Sequence, residues 1–311
     1  MITGHLRVAA LMLLIALPCQ GAMARTLDVG PGRTYALPSE AIAAARAGDV
    51  VRIAPGRYYD CAVVKVNDLL IEGTGAGVVL TDKTCQGKAL LVIDSSRVTL
   101  RNLEFRRARV VDGNGAGVRA EGGDLTIENC RFIDNEDGLL SARNPAAHIR
   151  IVNSTFTGNG RCGDACAHGV YVDTIALLHI EGSRFRDTHA GHHVKSRALR
   201  TELIGNDIED GPNGDSSFLV DIPNGGSLLL ENNRMEKGPH SSNPSIAVMI
   251  GEEGVDRPTD ELMIVGNVFI NDQARSTEFI HNVTATPVQL KGNRFVGQVR
   301  PLVGDGGIVS R

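Results

Sequence analysis

The stretch Ala190-Gly191-His192-His193-Val194-Lys195-Ser196-Arg197 places two imidazoles, an amine and a guanidinium in one short segment. Groups of these types suit removal of a proton next to a carboxylate. A base takes the proton, and nearby positive charge stabilises the carboxylate as it gains enolate character. Lys195 is the candidate base. Arg197 beside it is expected to lower its pKa, because neighbouring cations disfavour each other's charge. Arg197 and His193 are candidates to neutralise or orient the carboxylate, and Tyr171 (or His193) to protonate a leaving oxygen. A charge run of this kind is ordinarily a solvated strand face, so what positions it decides whether it is a site.

A repeat supplies that positioning. The pattern apolar-x-apolar-x-x-small-x-Phe recurs at Val98–Phe105, Leu125–Phe132, Ile149–Phe156 and Leu178–Phe185. With substitutions it continues at Thr201–Ile208, Leu228–Met235, Leu262–Phe269 and Val288–Phe295. Leu100, Ile127, Ile151, Ile180, Leu203, Leu230, Ile264 and Leu290 form one expected inward ladder. Ser154, Ser183, Asn206, Asn233, Asn267 and Asn293, with Cys130 at their level, form a column of short side chains suited to bonding the backbone at a tight bend. A second strand per repeat carries the inward column Val118, Leu139, Val170, Val194, Val220, Val248 and Ile280.

Coils of this length with two or three short strands stack into a parallel β-helix; leucine-rich spacing and Trp-Asp signatures are absent. The fold class expected is all-β, a single-stranded right-handed parallel β-helix with a short N-terminal capping helix over 37–47, ahead of a first strand at 50–53. A solenoid needs such a cap because its terminal coil exposes a ladder edge.

Strand alternation then sends Arg119, Leu140, Tyr171, Lys195, Asp221, Met249 and His281 outward in one column, with Glu121, Ala142, Asp173, Arg197 and Pro223 two residues further on. Successive coils rise by roughly 4.8 Å, so Tyr171, Lys195 and Asp221 are expected side by side, flanked by Asp173, Arg197 and His193. Asp173, Asp221, His168, His192 and Arg119 are candidate substrate-binding residues. His168 and His192, each taken alone, read more plainly as hydrogen-bonded structural histidines pointing inward or into a bend.

The segment from Asp28-Val29-Gly30 to Ile53-Ala54-Pro55-Gly56-Arg57-Tyr58 resembles the opening of pectate-lyase-like β-helix proteins. Lys195-Ser196 followed by Leu203-Ile204-Gly205-Asn206 resembles the catalytic-lysine strand of the alginate lyase and chondroitinase B group. That resemblance implies that Lys195 takes the C5 proton of a uronic acid, assisted by an Arg on the following coil. Here the following coil offers Asp221 instead, in Val220-Asp221-Ile222-Pro223-Asn224-Gly225, and Arg197 is the substitute from the same strand. The function expected is a polysaccharide lyase or C5-epimerase acting on a uronate-containing polysaccharide. A polygalacturonase-like hydrolase would need two carboxylates flanking the bond. Asp173 and Asp221, two coils and roughly 10 Å apart, are the candidates. A non-catalytic saccharide-binding or cell-surface β-helix is the third reading. It is weakened by a chain with no Trp and 4 Tyr, since sugar platforms expose aromatic rings.

Composition bounds the partners. The chain has 311 residues, 22% charged, with a formal net charge of -4. It lacks the basic excess that a nucleic-acid backbone demands, so an acidic polysaccharide held by a local cationic cluster is the expected partner. No phosphate-binding Gly loop, hydride-cofactor fingerprint or nucleophile elbow is found. The acidic loops 210–217 and 251–256 offer oxygen ligands for Ca²⁺, with surface turns as the plainer reading and no other cofactor or metal expected. His240-Ser241-Ser242-Asn243-Pro244 lies in the long excursion between Met235 and Phe269 and is placed to overhang the groove.

His5 and Arg7, the apolar run Val8–Leu17 and Ala22-Met23-Ala24 have the layout of a cleaved export signal. The organisation expected is a leader over 1–24, a cap and first coils over 25–89, the β-helix over 90–295, and a tail or cap over 296–311. The mature protein is expected to be secreted or periplasmic, monomeric and without a membrane span. Export permits disulfides. Cys61 and Cys85 are about one coil apart and suited to bridging neighbouring turns. Cys162 and Cys166 are suited to stapling one loop, since a second ligand pair for zinc is missing. Cys130 is left as a buried small hydrophobe.

Overall fold

The computed structural model of the chain describes Met1 and residues 23–309. The leader expected over 1–24 falls almost wholly outside the described residues. The rest winds into a parallel β-solenoid. Its first sheet has 12 strands, from Thr26–Val29 to Gly306–Ile308, and its second has 10, from Gly56–Tyr58 to Arg294–Val296. A third sheet, also of 10, runs from Ala62–Val64 to Val299–Val303. Nearly every strand pairs in parallel with its counterpart in the coils before and after it. A short hairpin, Arg161–Cys162 with Cys166–Ala167, projects from one bend.

The expected apolar ladder stands in register, with Leu100 opposite Ile127, Ile127 opposite Ile151 and Ile151 opposite Ile180, all buried. Beside it the rings of Phe105, Phe132, Phe156 and Phe185 stack at centroid spacings of 5.0, 4.5 and 4.7 Å. The bend between the first and second sheets is equally regular. At its first position Asn102, Asn129, Asn153, Gly182, Gly205, Asn232, Gly266 and Gly292 all take the left-handed conformation. Asn and Gly tolerate that conformation and other residues resist it. At the next position each backbone N–H is donated to the side chain one coil on: Cys130 to Ser154, Ser154 to Ser183, Ser183 to Asn206, Asn206 to Asn233, Asn233 to Asn267 and Asn267 to Asn293. The column of short polar residues is thus a continuous hydrogen-bond ladder buried along the solenoid.

Three boundaries differ from the expectation. The helix spans Pro38–Ala44, shorter than 37–47, because Asp49 Oδ2 accepts the Arg46 N–H at 2.8 Å and draws that residue out of the helix. Glu40 Oε2 accepts the Leu37 N–H at its start, at 3.1 Å. The first strand is Thr26–Val29, which pairs with Val50–Ile53 from the far side of the helix. At the other end, the segment read as a tail or cap continues the sheets as Val299–Val303 and Gly306–Ile308, a last partial coil.

Cys61–Cys85 joins two neighbouring turns at the edge of the third sheet, with Cα atoms 5.5 Å apart. Cys162–Cys166 closes the projecting hairpin. Cys130 is unpaired and buried. No helix among the described residues is long and apolar enough to cross a membrane.

Candidate active site on the third sheet

The outward column of the third sheet has the register expected of it. Tyr171 pairs with Lys195, Lys195 with Asp221, and Asp221 with Met249. Their inward neighbours Val170, Val194, Val220 and Val248 are fully buried in the core, which fixes the alternation and so the direction of the functional side chains. Facing outward does not leave them exposed, however. The loop 251–257 folds over the strip, tied by the N–H groups of Gly251 to Ile222 O and Glu253 to Pro223 O, both at 2.9 Å. Arg257 adds a side-chain bond to Thr174 Oγ1 at 2.7 Å. Under this cover Lys195 is 9% exposed and Asp221 fully buried.

Lys195 Nζ lies 2.7 Å from Glu253 Oε1 and 3.2 Å from Asp221 Oδ2. The second contact is off line for a hydrogen bond, so neither Asp221 oxygen receives a donor. Burial disfavours the Lys195 ammonium, but Asp221 and Glu253 outweigh it and hold its pKa above the ordinary lysine value. The lowering expected from Arg197 is therefore corrected: two carboxylates at contact distance dominate one neighbouring cation. Asp221 is pushed up to about 7, chiefly by burial and against the pull of Lys195.

Arg197 is held from three sides. Its Nε donates to Tyr171 Oη at 3.0 Å, its guanidinium bonds Asn224 Oδ1, and another N–H reaches Glu253 Oε2 at 2.5 Å. Because Arg197 donates to the Tyr171 oxygen, the phenolic O–H is free for another acceptor. Both cations also sit over the Tyr171 ring, Lys195 Nζ at 5.9 Å and Arg197 Cζ at 5.8 Å from its centroid. An amine, a phenolic hydroxyl and a guanidinium held by three partners thus share one patch.

His168 and His192 belong to the margin of this patch. Their rings stack, His192 stacks in turn on Phe218, and His168 meets Tyr171 edge-on at 5.3 Å. His192 Nε2 is 3.5 Å from Asp221 Oδ2. Burial, with the nearby Lys195 and Arg197 charges, takes His168 down to about 3. Burial likewise puts His192 well below its ordinary range.

His193 does not join them. Its ring is fully buried inside the coil, between Thr188 Oγ1 at 2.7 Å and Asp210 Oδ1 at 3.0 Å. It precedes the strand, in a bend where period-two alternation no longer holds, and so cannot orient a bound carboxylate. Asp173 also turns away: its Oδ1 accepts the Thr174 N–H at 2.5 Å and the Thr174 hydroxyl at 3.1 Å. Arg119 stands two coils before Tyr171, beyond Leu140, and pairs with Glu121 at 3.4 Å.

Among the described residues Asp221, Glu252 and Glu253 bring one oxygen each within 4.8 Å of one another. The Lys195 ammonium already contacts two of the three. The other loop considered for a cation is engaged elsewhere, Asp210 with His193 and Asp215 with the Ala190 N–H.

The family described as a right handed beta helix region matches residues 58–169 and 144–310. The chain belongs to that family. Among solved structures, an alginate lyase from Paenibacillus sp. str. FPU-7 is similar over 89% of this chain and 99% of its own, with 14% identity and a TM-score of 0.66. ORF18 of Geobacillus virus E2 is similar over 88% of this chain and 58% of its own, with 14% identity and a TM-score of 0.52. The pectate lyase Pel9A matches over 90% and 79%, with 13% identity and a TM-score of 0.48. At these identities the likeness is one of fold. None of the curated proteins matches the sequence.

Within this right-handed β-helix, sequence reasoning missed Glu253 and Asn224, which complete the partner set of Lys195 and Arg197. Both lie in turns outside the repeat. The available signal was the long excursion after Asp221, in whose Gly-Glu-Glu-Gly tip the acidic pair follows directly on the strand ending at Ile250.

Proposed function

We propose that the protein is an exported carbohydrate-active enzyme that cleaves a uronate-containing polysaccharide by β-elimination. The observation that carries this reading is the convergence of Lys195, Arg197 and Tyr171 on one patch of the third sheet, with Arg197 bonded to Tyr171. In the proposed reaction neutral Lys195 removes the C5 proton of the uronate. The electron pair forms the C4–C5 double bond as the C4–O bond breaks, and the Tyr171 hydroxyl protonates the leaving oxygen. Arg197 balances the charge that builds on the carboxylate. His168 and His192, neutral because buried, line the edge of the patch, and Arg119 stands further along the same face for another part of the polymer.

Return of a proton to the opposite face of C5 without bond cleavage would make the same groups a C5-epimerase. Hydrolysis by an Asp173–Asp221 pair is disfavoured, since Asp173 is committed to Thr174. The carboxylates of Asp221, Glu252 and Glu253 are read as charge partners of Lys195 in place of a Ca²⁺ site. Two disulfides support an oxidising, extracytoplasmic location.

The test is a panel of uronate polymers. Ultraviolet absorbance of an unsaturated uronate marks elimination, whereas new reducing ends without it mark hydrolysis. Solvent deuterium entering an uncleaved polymer marks epimerisation. Binding with no turnover on any polymer would overturn the enzymatic reading.

A further inference from the structure

Glu253 uses both carboxylate oxygens, one on Lys195 and one on Arg197. It reaches them from a loop 58 and 56 residues along the chain, outside the coil-to-coil register that supplies Tyr171, Lys195 and Asp221. We infer that Glu253 is a built-in occupant of a carboxylate subsite, and that a uronate carboxylate enters by displacing its side chain. This rests on reading the patch as the uronate-processing site.

The two cations do not depend on Glu253 for their positions. Arg197 remains fixed by Tyr171 Oη and Asn224 Oδ1, and Lys195 remains beside Asp221. Removing the Glu253 carboxylate would therefore leave a preorganised pair of donors facing an anion-sized gap. Glu253 is free to leave: its side chain is 39% exposed, and its loop is tied by backbone bonds that a side-chain rotation does not break. Ion pairs at that exposure are weak in water.

Charge favours the exchange. With Asp221 ionised, Asp221, Glu252 and Glu253 oppose Lys195 and Arg197, three negative charges against two positive. A fourth carboxylate arriving while Glu253 stayed would face net repulsion. When the ligand replaces Glu253 the balance is unchanged. A neutral sugar has no means of replacing it, so the internal carboxylate also filters ligands by charge, a repulsive contribution to specificity.

The test uses the full chain with D-glucuronate as probe and D-glucose as neutral control, by titration calorimetry or ligand-observed NMR. Glu253→Gln removes the competing charge at nearly constant shape, and glucuronate affinity is expected to rise roughly tenfold, as an occluded fraction is released. Glucose binding should not change, and adding Arg197→Ala to Glu253→Gln should abolish the gain. Glu253→Ala should change affinity in the same direction, which guards against a defect peculiar to glutamine. Unchanged or weaker glucuronate binding in both variants, with thermal melts like wild type, would overturn the inference. Binding needs no turnover, so tighter glucuronate binding in a protein inactive on every polymer would sink the lyase reading and leave the subsite standing.

Discussion

Nδ1 of His168 accepts the backbone N–H of His192 at 2.9 Å, and the two rings stack with centroids 4.8 Å apart. His192 repeats the arrangement one coil on, its Nδ1 accepting the Phe218 N–H at 3.0 Å. Each ring must therefore carry its proton on Nε2, which makes the pair neutral donors of fixed tautomer. Their folded pKa values are depressed, so the stability they contribute is present above about pH 6.5 and is lost as pH falls through that value towards the folded pKa. His168→Asn keeps an acceptor near the Nδ1 position but does not titrate. Urea unfolding at about pH 7.5 and about pH 4.5 should show a smaller acid loss in this variant than in wild type. An identical acid loss would mean that His168 is not buried as described.

Asp221 acts with the opposite sign. Its folded pKa, about 7, lies above the ordinary 3.8, so the stability linked to its proton is full below about pH 4 and is lost as pH rises through 7. Asp221→Asn should gain stability relative to wild type between about pH 4.5 and pH 8, by an amount on the order of a few kcal/mol. Denaturant titrations across that range check it, and a difference that does not vary with pH would refute the assignment.

Lys195→Ala should lower kcat on the true substrate by roughly 10²–10⁴, the span of a general base, with unchanged far-ultraviolet circular dichroism. If Lys195 is the base, kcat/KM of the wild type rises with pH towards a limb above the ordinary lysine range, because carboxylates hold the ammonium charged. Removing one of them by Glu253→Gln should move that limb to lower pH. A limb that stays in place would separate Glu253 from the titration of Lys195.

The bend ladder predicts a purely structural loss. Asn233 accepts two donors from Asn206 and donates to Leu203 O and Asn267 Oδ1. Asn233→Ala strands several buried polar groups, and each costs roughly 1–3 kcal/mol. A total of about 2–4 kcal/mol is expected by urea unfolding, with less for Asn293→Ala, whose position near the last coil is half-exposed.

What the sequence made legible was whatever repeats. Tyr171, Lys195 and Asp221 were placed side by side correctly because Val170, Val194 and Val220 must be inside, and alternation then dictates the outer face. The bends carry no such constraint. His193, one residue before a strand, turned inward to Asp210, while His192 turned out to Asp221. Glu253 was legible only as part of an acidic loop, for a related reason: its partners lie more than fifty residues away in a different coil, and nothing periodic links them. The sign of the Lys195 shift failed because only Arg197 was weighed, although Asp221, expected beside Lys195, raises it together with Glu253.

One residue per coil on the outer column has a metric consequence. Separations along the strip come only in whole coil rises, so the third sheet is a ruler graduated at roughly 4.8 Å. Arg119 sits two marks from Tyr171, and Lys195 and Asp221 at the next two. A polymer lying along the axis is therefore sampled at fixed intervals, and inserting or deleting a coil would shift its contacts by a full mark. Positions between the marks are open only to loops, and 251–257 is the one that takes such a place over Lys195. Changes of reach in this scaffold should come in steps, and fine tuning should be confined to its turns.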